Sequence, residues 1–260
     1  MTVLEYHREG SGEPLVLVHG VGSRWQVWEP VIGTLTDHFE VIAVDLPGFG
    51  GSAPLPRTTV DTLTGALADF LAVQGLDRPH LAGNSMGGGI SLNLGARGLA
   101  RSVTAFSPIF FWDTPGRIWC QQSLGRAEKL GRVLGPAMPK VLGTPAGRTI
   151  FLSLVFGKPW AVDTRTALDT AEGAVKSLGF APALDSFTEA KLADPAALAD
   201  LPVTIAWGNR DILLTYRTQS RRAREVLPHA RHITLGGSGH TPFYDDPAAC
   251  ARVILDQLPA

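Results

Sequence analysis

The chain has 260 residues, 45% of them hydrophobic and 18% charged, with 23 Lys and Arg against 24 Asp and Glu and a formal net charge of −1. That length can bury a sizeable core in one large domain or in a domain carrying an insertion, and the composition excludes disorder, a collagen-like chain and a disulfide scaffold. So balanced a charge offers no long-range field to a polyanion, so nucleic acid is not expected as a partner.

In chain order, Met1 to Glu5 has neither a basic stretch nor an apolar one, and no secretory signal is expected. Leu15 to Val18 is a short, continuous apolar run of the kind a strand buried on both sheet faces requires, and Val41 to Val44 repeats it. A helix is expected between them at Trp25 to Leu35. From Thr58 to Gly75, Val60, Leu63, Leu67 and Leu71 share one face, and Thr58 and Asp61 have capping-box spacing. A strand at His80 to Ala82, a helix at Gly88 to Arg97 and a strand at Val103 to Phe106 continue the alternation, which implies a parallel sheet with right-handed crossovers and helices on both sides. The rhythm then breaks. Residues 108–195 read as a helical insertion, with helix-period stretches at Arg117 to Leu134 and Asp163 to Leu178, prolines between them, and nine of the chain's 20 aromatic residues. Those aromatics either pack the insertion onto the main domain or line an apolar pocket beneath a lid. Strands resume at Val203 to Trp207 and His232 to Leu235, with helices at Tyr216 to Leu227 and Pro247 to Leu258, so residues 1–107 and 196–260 form the core domain. No apolar run approaches the 18 or so residues of a membrane span. Cys120 and Cys250 are too few and too far apart for a metal motif or staple, and suit a reducing, cytoplasmic setting as buried small hydrophobes.

One motif carries chemistry. Gly83-Asn84-Ser85-Met86-Gly87 lies between a buried strand and a helix, where a serine on so tight a turn is held strained and its neighbours two residues away must lack bulk. Glycine is 29 of 260 residues, so the pattern alone is only suggestive, and its place after a strand is what raises it. A serine hydroxyl needs a base within reach, and the base an orienting acid. His240, in Gly236-Gly237-Ser238-Gly239-His240, follows the last strand in a loop with the freedom to swing its ring over Ser85, whereas His7, His38, His80, His229 and His232 sit at strand ends or turns as surface or packing residues. Asp211 follows the strand Val203 to Trp207, where a sheet's C-terminal edge delivers side chains. Asp45 and Asp113 compete for the acid's role, but Asp45 opens a turn-rich loop, Asp45 to Ser52, that gives it a structural task. Asp245 and Asp246, before Pro247, read as a cap for the last helix.

The order Ser85, Asp211, His240 resembles that of the α/β-hydrolases. His19-Gly20-Val21-Gly22, the Asp45 to Ser52 loop, the Gly83 to Gly87 elbow, Trp207-Gly208-Asn209-Arg210-Asp211 and Gly239-His240 look like that family's landmarks in its order, with the insertion where the family carries its cap domain. The resemblance implies an α/β-hydrolase fold, catalytic roles for Ser85, Asp211 and His240, and an oxyanion hole made by the backbone N–H groups of Val21 and Met86. Helix polarity at Met86 and the glycine before Val21 agree with that. His19 would then shape its loop. One departure is at the N-terminus, where too few residues precede Leu15 for the family's full set of early strands, so the sheet is expected to be short by one.

The expected function is that of a serine hydrolase acting on carboxylic esters of small, fairly apolar substrates, with no cofactor and no metal. The elbow also resembles that of carbon–carbon bond hydrolases of the meta-cleavage type, yet the loop after His19-Gly20 lacks their Gly-Pro-Gly and Thr-Pro-Phe follows His240 in place of Trp-Ala. Cofactor-free perhydrolases or haloperoxidases would share the triad, and a receptor of this fold would keep the pocket without turnover. Gly48-x-Gly50-x-x-Ala53 imitates a dinucleotide fingerprint, but Pro54 and Pro56 stop the helix that would present its N-terminus to a pyrophosphate.

Overall fold

A computed structural model describes residues 3–258. Seven strands form one sheet: β1 (Tyr6–Gly10), β2 (Glu13–Val18), β3 (Phe39–Val44), β4 (His80–Asn84), β5 (Ser102–Phe106), β6 (Val203–Gly208) and β7 (Arg231–Leu235), in the order β1-β3-β2-β4-β5-β6-β7. Among the described residues only the β1–β3 pairing is antiparallel. β1 has no counterpart in the sequence reading, because its Tyr-His-Arg-Glu-Gly is mostly exposed at the sheet edge and shows no apolar alternation.

The pleat explains why the inner strands read as unbroken apolar runs. On β2, Leu15 and Leu17 enter one core while Val16 and Val18 enter the other; on β3, Val41 and Ala43 separate from Ile42 and Val44 in the same way. One face is covered by α1 (Glu29–Leu35) and by the C-terminal helix Pro247–Leu255; the other by α2 (Val60–Val73) and α3 (Met86–Ala96). Each fully buried Leu or Val contributes about 1.5–3 kcal/mol relative to leaving it in water. The capping box of α2 is one residue further on than the spacing of Thr58 and Asp61 suggests. Thr59 Oγ1 accepts from Thr62 N at 3.1 Å and Thr62 Oγ1 accepts from Thr59 N at 2.9 Å.

Between β5 and β6 lie helices only: α4 (Thr114–Leu134), α5 (Met138–Leu142), α6 (Pro145–Leu152), α7 (Thr164–Lys176) and α8 (Phe180–Asp185), with short 3₁₀ turns. This unit has a small core of its own, built on Met138, Leu142, Leu152, Phe156, Val162 and Ala167, while Phe180, Leu184 and Phe187 join the main core. After β6 come a π-helical turn, Tyr216–Ser220, and α9 (Arg221–Val226); α10 is Pro247–Leu255. Among the described residues no helix is long and apolar enough to cross a membrane.

Strand order fixes where a ligand fits. The chain runs from β2 outward to β3, then returns to place β4 on the other side of β2, so the loops leaving the C-terminal ends of β2 and β4 face each other at a switch point.

Candidate active site

Ser85 stands between β4 and α3 with φ 55° and ψ −116°, a conformation that L residues rarely adopt. The turn is held by Ser85 N–H donating to Phe106 O at 2.9 Å and by Ser85 O accepting from Gly89 N and Ile109 N, each at 3.1 Å. The flanking glycines are obligatory. A Cβ on Gly83 would lie 2.2 Å from Gly87 O, and one on Gly87 would lie 2.1 Å from Val18 O. The β2 loop presses on the same point, since a Cβ on Gly20 would stand 3.1 Å from Ser85 Cβ. Met86 is the first residue of α3, and an N–H in that position has no intrahelical acceptor.

Asp211 is 2% exposed and its carboxylate is fully engaged. Oδ1 accepts from Leu213 N and Leu214 N, both at 2.9 Å, and Oδ2 pairs with His240 Nδ1 at 2.8 Å. That contact commits Nδ1 of the ring to Asp211 and leaves Nε2 for the cavity that His240 lines together with Ser85. Among the described residues no hydrogen bond joins Ser85 Oγ to the ring; in substrate-free enzymes the hydrogen bonds of catalytic groups are often long or poorly aligned. The His240 loop is also less free than its glycines suggest. Asn84 Nδ2 donates to His240 O at 3.0 Å, Thr241 N–H donates to Val155 O at 2.8 Å, and Gly239 N–H donates to Asp245 Oδ2 at 2.8 Å. Gly208 lets this loop cross the end of β6, where a Cβ would meet Gly239 O at 2.2 Å.

The cavity has a volume of about 470 Å³, a size suited to a small ligand. Val21 and Ser85 line it from the loops after β2 and β4; Leu124, Met138, Phe151, Phe156, Val175 and Phe180 supply apolar walls from the insertion, and Leu213 adds one from the core. Polar groups gather at Arg24, Asp163 and Asp169, with Arg24 Nη2 3.0 Å from Asp169 Oδ1. Tyr244, also in the lining, keeps its phenol protonated because burial pushes its pKa up to about 12. Asp163 has its carboxyl held below the usual range by the side chain and backbone N–H of Thr166. Val21 contributes lining; Met86 does not, its side chain being buried in the core.

The competing candidates have other work. Asp45 Oδ1 accepts from Trp25 N at 2.7 Å and Oδ2 from Gly51 N at 2.9 Å, so it builds its loop; Asp113 caps α4 through Gly116 N at 2.8 Å. His19 takes the Leu46 N–H on Nε2 at 3.0 Å and therefore offers the Nδ1 proton to Gly20 O at 2.7 Å, while burial pushes its pKa down. A neutral ring bonded at both nitrogens shapes a loop and moves no proton. Burial, and to a smaller extent the nearby Asp211 charge, raises the Cys120 thiol far from its reactive form. His80 is clasped between Ser102 Oγ at 2.7 Å and Glu13 at 2.8 Å, away from the cavity. The Asp245–Asp246 pair divides its labour: Asp246 caps α10 through Ala249 N at 3.0 Å, but Asp245 reaches instead to Gly157, Lys158 and Gly239. Neither this role nor that of Asn84 has a sequence signal, because both depend on which loops cross in space.

Residues 15–253 match the sequence model of the alpha/beta hydrolase family. A pimeloyl-[acyl-carrier protein] methyl ester esterase of Chromobacterium violaceum is 30% identical over 259 residues, covering 96% of this chain and 95% of that protein. Among solved structures, a membrane phospholipase A described as a bacterial virulence factor superposes with a TM-score of 0.76 at 26% identity, over 98% of this chain and 85% of that one. An esterase from Exiguobacterium antarcticum superposes with a TM-score of 0.79 at 18% identity, over 98% and 95%. The last likeness is one of fold alone.

Proposed function

The chain belongs to the alpha/beta hydrolase family, and on that premise we propose that it is a serine hydrolase cleaving carboxylic esters of small, fairly apolar substrates. One observation carries the proposal: a strained serine at a strand-to-helix turn opens into the same apolar-walled cavity as a histidine whose Nδ1 is bonded to a buried aspartate. In this reading Ser85 Oγ attacks the ester carbonyl as His240 Nε2 takes its proton. Asp211 holds the ring in the tautomer that can accept it and stabilises the imidazolium that forms. The tetrahedral oxyanion is met by the N–H groups of Val21 and Met86, the latter at a helix N-terminus whose dipole favours negative charge. Collapse returns the proton from His240 to the leaving alkoxide and leaves an acyl group on Ser85; water, deprotonated by His240, then releases the acid.

The relative from Chromobacterium violaceum is named for a methyl ester of an acyl chain, which supports an ester with an apolar acyl portion and a small alcohol. The test is a panel of chromogenic esters of graded acyl length on the purified protein. Turnover is expected, with Ser85→Ala lower by several orders of magnitude. A wild type inert on every ester yet active on a dienoic diketone would replace this proposal with carbon–carbon bond hydrolysis.

A further inference from the structure

The segment from Phe156 to Lys158, which follows α6 in the helical insertion, lies directly on the loop that carries His240. The approach is backbone to backbone: a Cβ on Gly157 would stand 2.5 Å from Gly237 O, and one on Gly239 would stand 2.4 Å from Gly157 N. One side chain closes the seam. Asp245 Oδ2 accepts from both Gly157 N and Gly239 N at 2.8 Å, and Oδ1 accepts from Lys158 N at 2.8 Å. Lys158 Nζ donates in return to Asp245 O at 3.0 Å. Asp245 is 8% exposed, and three backbone donors, that of buried Gly239 and those of half-buried Gly157 and Lys158, depend on its single carboxylate. The residue touches no reacting group, and the neighbouring helix cap is made by Asp246.

We propose that Asp245 is a positioning residue for His240. By fastening Gly157 and Lys158 of the insertion to Gly239, it makes the seating of the insertion and the aim of the imidazole a single event. The insertion cannot lift at this end without pulling on the residue next to His240, and the Thr241 N–H to Val155 O bond transmits the same pull from the other side. The proposal rests on the hydrolase reading above, in which His240 is the base. An Asn at this position presents one oxygen and one NH₂ group, so it cannot reproduce three acceptor contacts, and one backbone N–H must then face a donor.

The experiment compares Asp245→Asn with Asp246→Ala, which removes the adjacent helix cap and leaves the seam intact. Asp245→Asn is expected to lower kcat on a chromogenic ester by at least about tenfold with KM changed by less than about twofold, the split expected of a misplaced catalytic group. Labelling of Ser85 by a fluorophosphonate should slow by the same factor, while Asp246→Ala lowers Tm and leaves both rates unchanged. Gly157→Ala, which pushes the seam apart with Asp245 in place, should reproduce the kcat loss if Asp245→Asn folds poorly. Proton NMR of the resting protein separates this claim from the hydrolase reading, since the downfield signal of an Asp211-bound imidazole N–H should shift or weaken in Asp245→Asn whether or not esters are turned over. Wild-type kcat, labelling rate and imidazole signal in folded Asp245→Asn, or losses no larger than those of Asp246→Ala, would overturn the proposal.

Discussion

Asp211→Asn removes one charge from the site, and the structure dictates how the amide must sit. Two backbone donors, Leu213 N and Leu214 N, converge on Oδ1 at 2.9 Å. The asparagine carbonyl therefore takes that position, because turning the amide over would set an NH₂ group against two N–H donors. The NH₂ is then left where Oδ2 met His240 Nδ1 at 2.8 Å, and it donates to that nitrogen. His240 must carry its proton on Nε2, the tautomer that cannot accept the proton of Ser85. On the proposed mechanism the expected loss in kcat is about 10⁴-fold, as when that tautomer is imposed on the triad of a serine protease, or about 5–6 kcal/mol in barrier height. Stability should change by no more than about 1–2 kcal/mol, since the shape and two of the three hydrogen bonds persist. Steady-state hydrolysis of a chromogenic ester, read beside thermal unfolding, measures both. Activity within about tenfold of wild type, or activity lost only because the variant is unfolded, would refute the tautomer argument.

Other outcomes follow from the same geometry. Gly87→Ala sets a methyl 2.1 Å from Val18 O and 2.5 Å from His19 O, and the clash is with backbone and not with a flexible side chain, so chemical denaturation should show a loss of about 3 kcal/mol; a wild-type midpoint contradicts this. His19 has its pKa lowered by burial from its ordinary 6.5, so the unfolded chain takes up a proton that the folded one refuses, and stability falls as pH drops below that value. Urea unfolding at pH 7.5 and 5.5 should thus show a larger loss for wild type than for His19→Gln, and equal losses would count against it. Ala171→Phe narrows the cavity from α7, and kcat/KM should fall by about fourfold for each acyl methylene excluded, at ~0.8 kcal/mol apiece, with acetyl esters spared; a uniform decrease across chain lengths would show that the acyl group lies elsewhere.

The sequence displays some elements of the fold more plainly than others. Strands such as Val41 to Val44 announce themselves because burial on both faces demands an unbroken apolar run, whereas β1, wetted at the edge, carries no such demand. α4 and α7 have a helical period long enough to see; α5, α6 and α8 are of five, eight and six residues, begun or interrupted by proline, and are stabilised by packing that the sequence does not display. Ser85, Asp211 and His240 stand out in the sequence as candidates because glycines and strand ends mark each of them locally. The sequence of the His240 loop reads as free to swing, and the loop is not: glycines there allow close crossing of Gly157 and Gly208, a constraint set by which loops meet in space.

The most direct measurement is mass spectrometry of the protein after reaction with a fluorophosphonate, digested and mapped to the modified residue. A single adduct on Ser85 is expected, absent from Ser85→Ala and formed far more slowly in His240→Ala. An adduct on another residue, or undiminished ester turnover with Ser85 unmodified, would contradict it.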